Sequence, residues 1–331
     1  MGAVVQNDKN AASGGSAASG VSGVPGASGA VWRRRAGVRG GLALLALTAI
    51  VAGCAEGGGR AGADPAPGQE AARAALPARA LHSYADRLRA EHAARVAAAG
   101  RWGLKKVPLT APAPPAVKPK ITTREGFEVE DHEERRLPPV FTGIPTKRKV
   151  VFLTIDDGAE KDPAFLRMTS ELRVPYTAFL SDYLIKDDYA YFRKMRDLGV
   201  TLNNHTLHHP YLPDLSYKQQ KHEICGMQNV LRERYGERPA LFRPPYGNYN
   251  RDTLVAAKSC GVKYAPLWDE EVFVDHWEYR EGDGDLHPGD IVLSHFRGRG
   301  DWKGTMPDMV RRFLDKVTAK GYAVARLEDY L

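Results

Sequence analysis

From Lys149 to the last residue, runs of β-branched, aromatic and aliphatic residues alternate with amphipathic stretches, and this alternation is what most constrains the fold. Val150 to Ile155 is a continuous apolar run, and Asp162-Pro163 is a cap and first-turn pair that predicts a helix through Leu172. Tyr176 to Ser181 reads as a second strand, Asp188 to Leu198 as a helix stopped by Gly199, and Val200 to Asn203 as a third strand. There follow a long helix over Ser216 to Tyr235, a strand over Ala240 to Arg243, a helix over Arg251 to Cys260 and a strand over Val262 to Leu267. A strand over Asp290 to Ser294, a helix over Pro307 to Lys320 and a strand over Tyr322 to Arg326 complete the series. Apolar strands separated by helices imply a mostly parallel sheet covered on both faces, either a barrel or a doubly wound sheet.

In both architectures the residues just past the strand C-termini gather on one face. The sequence places there Asp156 and Asp157, His205 and His209, Arg243 and Tyr246, Trp268 and Asp269, and His295. Two adjacent carboxylates repel unless a cation or a proton is shared between them. His205 and His209, four apart, can share one face of a helical turn and present two nitrogens to a metal. Two histidines and one carboxylate, with open positions left over, form a catalytic divalent-metal set of which zinc is the first candidate. Either acid of the pair can bind it while the other serves as a general base. Taken singly, Asp-Asp-Gly is an ordinary turn and the histidines are ordinary loop residues. Their convergence at successive strand ends is what points to a site.

Four runs carry a resemblance. Thr154-Ile155-Asp156-Asp157-Gly158, His205-Thr206-Leu207-His208-His209-Pro210, Arg243-Pro244-Pro245-Tyr246-Gly247 and Leu293-Ser294-His295 resemble, in order, the motifs of the polysaccharide deacetylases with a NodB-type domain. The resemblance covers roughly residues 148–331 and implies an α/β fold, a distorted (β/α)7 barrel, that removes acetyl groups from a carbohydrate polymer with a divalent metal, zinc first. It implies Asp156 as general base, with Asp157, His205 and His209 as metal ligands. It further implies Arg243 as the partner that orients the base, the Tyr246 backbone N–H as an oxyanion donor and His295 as general acid. Trp268 and Leu293 are expected to wall the acetyl methyl.

The fourth motif departs from the pattern. Trp268-Asp269-Glu270-Glu271-Val272-Phe273-Val274-Asp275-His276-Trp277 is stretched, so Asp269, Glu271 and Asp275 are all candidates to orient His295. Asp275 ranks ahead because it lies near a following tryptophan. The substrate expected is an N-acetylhexosamine of cell-wall glycan. The alternatives are an O-acetyl esterase acting on a xylan-like polymer and a carbohydrate-binding surface module without turnover.

Upstream, Arg33, Arg34, Arg35 and Arg39 precede an apolar run from Leu42 to Ala52, then Gly53 and Cys54. That is a signal-peptide pattern too short for a permanent membrane span. Val51-Ala52-Gly53-Cys54 resembles the bacterial lipobox, which implies lipidation of Cys54 and an extracytoplasmic, membrane-anchored protein. Translation is expected to begin near Val31. Residues 1–54 are thus read as a disordered start and signal, 55–147 as tether, possible helix and Pro-rich linker, and 148–331 as the catalytic domain. The helix is expected over residues 70–100 with Leu81, Tyr84, Leu88 and Val96 on its apolar stripe.

The formal charge of +7 does not indicate nucleic acid, because beyond residue 54 the chain carries 42 basic against 39 acidic residues. The partners expected are a polysaccharide and, through the anchor, a membrane, with no nucleic acid and a monomeric chain. Three cysteines make no disulfide framework, but Cys225 and Cys260 can pair in an oxidising compartment or stand as separate buried thiols.

Overall fold

A computed structural model describes residues 67–129, 136–280 and 283–331; the signal-like segment, its expected start and Cys54 lie outside them. Helix α1 (Pro67–Arg101) precedes β1 (Val140–Phe141), β2 (Val150–Asp157), α2 (Pro163–Leu172) and β3 (Thr177–Leu180). Next come α3 (Asp182–Ile185), α4 (Tyr189–Asp197), β4 (Thr201–Asn204), α5 (Tyr217–Tyr235) and α6 (Arg251–Ser259). The chain closes with β5 (Ala265–Pro266), β6 (Glu270–Val272), β7 (Trp277–Tyr279), β8 (Ile291–His295), α7 (Met306–Ala319) and β9 (Ala323–Val324).

Strand β2 is the centre of this distorted α/β barrel. It pairs in parallel with β3, β8 and β9, and all eight of its residues are buried. Its alternation separates two cores. Val151, Leu153 and Ile155 pack outward with Phe165 and Met168 of α2, Phe192 of α4 and Phe313 of α7. Val150 and Phe152 point inward to Phe179, Leu293 and Tyr330. Burying a side chain of this size contributes about 1.5–3 kcal/mol, so both faces stabilise the strand and its register is fixed.

Helix starts follow the local chemistry. The Asp162 side chain accepts the Ala164 N–H with Pro163 in the first turn, and Thr305 and Asp308 form a reciprocal capping pair on α7. Two expected strands are thinner than their apolar runs suggest. Between β4 and β5 the pairing falls to the single bridges Asn204–Phe242 and Leu241–Tyr264. The cause is chemical: Pro244, Pro245 and Pro266 have no N–H, and the carbonyls of Pro266 and Leu267 accept from the Arg243 side chain. The stretch from Glu270 to Tyr279, left without an element by its run of acids, forms an antiparallel pair, β6 with β7, and β6 joins β8 in parallel.

The N-terminal part also differs from expectation. On α1, Tyr84, Leu88 and Val96 are exposed, while Ala98 and Ala99 are buried at the end of the helix. The Trp102 indole donates to Glu171 there. Beyond the helix the chain makes specific contacts with the barrel: the Lys105 N–H donates to Asp315, Leu109 bridges Ala323, Arg124 pairs with Asp269, and the Tyr249 hydroxyl donates to the Phe127 carbonyl.

Cys225 on α5 and Cys260, just past α6, form a disulfide across 35 positions of sequence. Closing a loop of that length in the unfolded chain stabilises by about 2–4 kcal/mol. Cys225→Ser/Cys260→Ser is therefore expected to lower the chemical unfolding free energy by about that amount. Urea denaturation with and without reductant checks this, with the reduced native protein falling to the level of the double variant.

Candidate active site

The two carboxylates stand where β2 ends. Asp157 has φ +82° and Gly158 φ +97°. A Cβ on Gly158 would lie 2.5 Å from Ile185 Cγ2, so only glycine permits the turn that aims the Asp157 side chain into the barrel mouth. Past β4 the histidines lie on a loop, not on the helical turn their spacing suggested. Thr206 and His209 both have positive φ. Asn204 Oδ1 accepts the Thr206 N–H, and Thr206 Oγ1 accepts the His209 N–H, both at 2.9 Å. Side chains therefore satisfy a backbone that a helix would otherwise have satisfied.

His205 Nδ1 lies 2.7 Å from the Arg243 carbonyl oxygen, which can only accept. The Nδ1 atom must carry the proton, leaving the Nε2 lone pair for the site. His205 Nε2 is 3.7 Å and His209 Nε2 3.4 Å from the same oxygen, Asp157 Oδ1. That oxygen is buried and has no hydrogen-bond partner. A buried carboxylate oxygen without a hydrogen-bond partner, facing two imidazole nitrogens, is costly unless a cation lies among them. Burial holds His205 well below, and His209 below, the ordinary histidine value, so both rings are neutral near pH 7. Burial alone would raise Asp157, but the charges of His295 and Arg297 help hold it below the ordinary carboxylate value. One carboxylate and two neutral imidazoles are the protonation states a divalent metal requires. Asp157, His205 and His209 accordingly fit a metal set, and the borderline N/O donors suit zinc.

Asp156 is held separately. Arg243 is fully buried: its Nη1 donates to Asp156 Oδ1 at 2.8 Å and to Thr154 Oγ1 at 2.9 Å. Its Nε and Nη2 donate to the Pro266 and Leu267 carbonyls, and its guanidinium carbon lies 4.4 Å from the centre of the Phe179 ring. Asp156 Oδ2 is left towards His205, at 3.6 Å. Burial pushes the Asp156 carboxyl up to about 7, against the pull of Arg243.

Across the strand pairing, Asp156 is the register partner of His295. The acid that holds His295 is Glu271, with Oε1 3.0 Å from Nδ1. This corrects the expectation for Asp275, which is 62% exposed and pairs with His276. The reason is strand parity: Glu271 is in register with Leu293 on the inward face of β6, whereas Asp275 lies in the link beyond it. Asp269 is turned to Arg124. Burial alone would lower His295, but Glu271, Asp157 and Asp156 carry it to about 9.

Tyr246 sits in a Pro245–Gly247 turn at φ +61°, and its ring is 4.6 Å from that of His209. Trp268 and Leu293 are buried in the inner core beneath the carboxylates. One site residue was not anticipated: Arg297 Nη2 donates to Asp157 Oδ2 at 2.8 Å. Its signal was a cation two positions past His295, the spacing that keeps the same side of an extended chain.

A family profile described as polysaccharide deacetylase matches residues 143–265. Over 201 residues the chain is 42% identical to SCO4760, an uncharacterized protein of Streptomyces coelicolor, covering 60% of this chain and 79% of that one. It is 29% identical to the peptidoglycan-N-acetylmuramic acid deacetylase PdaA of Bacillus subtilis, over 56% and 73% of the two chains. The solved peptidoglycan N-acetylglucosamine deacetylase Bc1960 has a similar fold, with a TM-score of 0.51 at 22% identity over 60% of this chain and 94% of that one.

The Glu271 contact has a direct readout. In Glu271→Gln, NMR titration of the His295 ring is expected to give a value well below 9, towards the ordinary histidine, while Asp275→Asn leaves it in place. The opposite ranking of the two variants would return the orienting role to Asp275.

Proposed function

Because the chain belongs to the polysaccharide deacetylase family, we propose that it is a divalent-metal hydrolase, with zinc the fitting metal, that cleaves acetamide C–N bonds of N-acetylhexosamine in cell-wall glycan. The wall substrate is supported by the similarity to a peptidoglycan deacetylase. The observation that carries the reading is the unpartnered Asp157 oxygen facing two imidazole nitrogens, beside a second carboxylate held by arginine.

A divalent cation held by Asp157, His205 and His209 supplies Lewis-acid polarisation of the acetyl carbonyl and acidification of water. The chain supplies the rest. Asp156, poised near neutrality with one oxygen fixed by Arg243, takes the proton of the attacking water on Oδ2. The Tyr246 backbone N–H is the donor assigned to the oxygen on which charge develops. His295, protonated at neutral pH through Glu271, donates to the departing nitrogen, which cannot leave as an anion. Trp268 and Leu293 give the apolar floor for the acetyl methyl.

The same reading places the protein outside a bacterial membrane, anchored through Cys54, with residues 1–54 as export segment and 148–331 as the catalytic barrel. Support comes from the basic-apolar-Cys54 order and from the disulfide, which persists in oxidising compartments. Among the described residues no helix is long and apolar enough to cross a membrane.

Acetate release tests the reaction. Protein stripped by chelation and reloaded with zinc is expected to release acetate from peptidoglycan or chitooligosaccharide. Asp156→Asn should lower kcat by about 10²–10⁴. Release from acetylated xylan alone would make the chain an O-esterase, and zinc binding without release from any of these glycans would make it a binding module.

A further inference from the structure

The chemistry above gives Arg297 no role, yet it stands at the mouth of the site. It lies two residues past His295, and its N–H donates to the His295 carbonyl at 3.0 Å. Nη2 donates to Asp157 Oδ2 at 2.8 Å, while Nη1 has only the exposed Asp301 at 4.0 Å. Arg243, whose task is to hold Asp156, is completely buried with its donors turned to protein oxygens; the Arg297 side chain is 36% exposed. An arginine needed only to balance Asp157 has no reason to keep part of its fork in solvent.

Its surroundings suit a sugar. Tyr183 and Tyr246 are exposed, and the Tyr183 hydroxyl feels the charges of Asp157 and Arg297 as well as the neighbouring Tyr246. A divalent cation held at the site would make it attractive to an anion.

Resting on the deacetylase reading, we propose that Arg297 is a specificity-determining residue whose outward N–H groups bind a carboxylate on the sugar being deacetylated. The chemical class is an N-acetylated hexosamine with an acidic ether substituent on the carbon next to the acetamido carbon, as in a muramic-type residue. Guanidinium and carboxylate meet in paired, charge-assisted hydrogen bonds, which a neutral sugar does not offer.

The test uses the full chain loaded with zinc and two glycans that differ only in charge: a muramic-type N-acetyl oligosaccharide with its carboxylate free, and the same compound as its methylamide. One charge-assisted contact predicts a preference of about tenfold or more in kcat/KM for the free acid. Arg297→Met should reduce that preference by raising KM on the acid, and Arg297→Lys should keep part of it. Zinc affinity of the metal-free variants, measured by chelator competition, reports the Asp157 contact separately. Equal KM on both glycans in the unaltered protein would overturn the inference. So would a loss in Arg297→Met that falls on both glycans alike and follows zinc affinity, since Arg297 would then serve only Asp157. Acetate from neither glycan would remove the deacetylase reading together with this one.

Discussion

A guanidinium buried in the middle of the barrel is the constraint on which the site and much of the sheet depend. Arg243 carries a permanent charge out of water, and an uncompensated charge in such a place is not tolerated. Its compensation comes from four directions: Asp156, the Thr154 hydroxyl and the carbonyls of Pro266 and Leu267. The two carbonyls accept from a side chain, and the sheet thins to single bridges in the same region. The distortion of the barrel and the fixation of the Asp156 carboxylate have a common origin.

The same arrangement divides the labour of two adjacent acids. Asp156 is tied by one oxygen to a buried arginine, and burial keeps its proton affinity near neutrality. Asp157, one residue on, is turned by its positive φ to the same cluster, where neighbouring cations hold it below the ordinary carboxylate value and two imidazoles share one of its oxygens. Chain neighbours acquire opposite roles because a strand alternates its side chains and its end relaxes that alternation through a left-handed turn. Neither carboxylate has these properties by residue type alone; the strand end creates them.

Much of this was legible in the sequence, and the reasons are local. The Asp162-Pro163 cap set the start of α2, and continuous apolar runs marked β2, β3 and β8 because those strands are buried on both faces. The strand-end residues could be gathered before any coordinates, since parallel topology forces them to one face. What escaped depended on contacts remote in sequence. The pairing of Glu271 with His295 follows from β6 lying beside β8, and β6 is disguised by two consecutive acids that look like a loop. A spacing of four between the histidines fits both a helical turn and a loop; Asn204 and Thr206 decide for the loop through hydrogen bonds to the backbone. On α1, spacing gives a face and not a neighbour: Tyr84, Leu88 and Val96 are exposed, while the small Ala98 and Ala99 are buried. Arg297 escaped because its partner, Asp157, lies on another strand.

The chemistry of the site turns on one cation shared by Asp157, His205 and His209. Anomalous diffraction across the zinc absorption edge, on crystals of the protein grown with zinc, measures this most directly. One strong peak is expected, bonded to Asp157 Oδ1, His205 Nε2 and His209 Nε2, with Asp156 beside it and still held by Arg243. A peak bonded to Asp156 in place of Asp157, or saturating zinc with no peak among these three side chains, would contradict it.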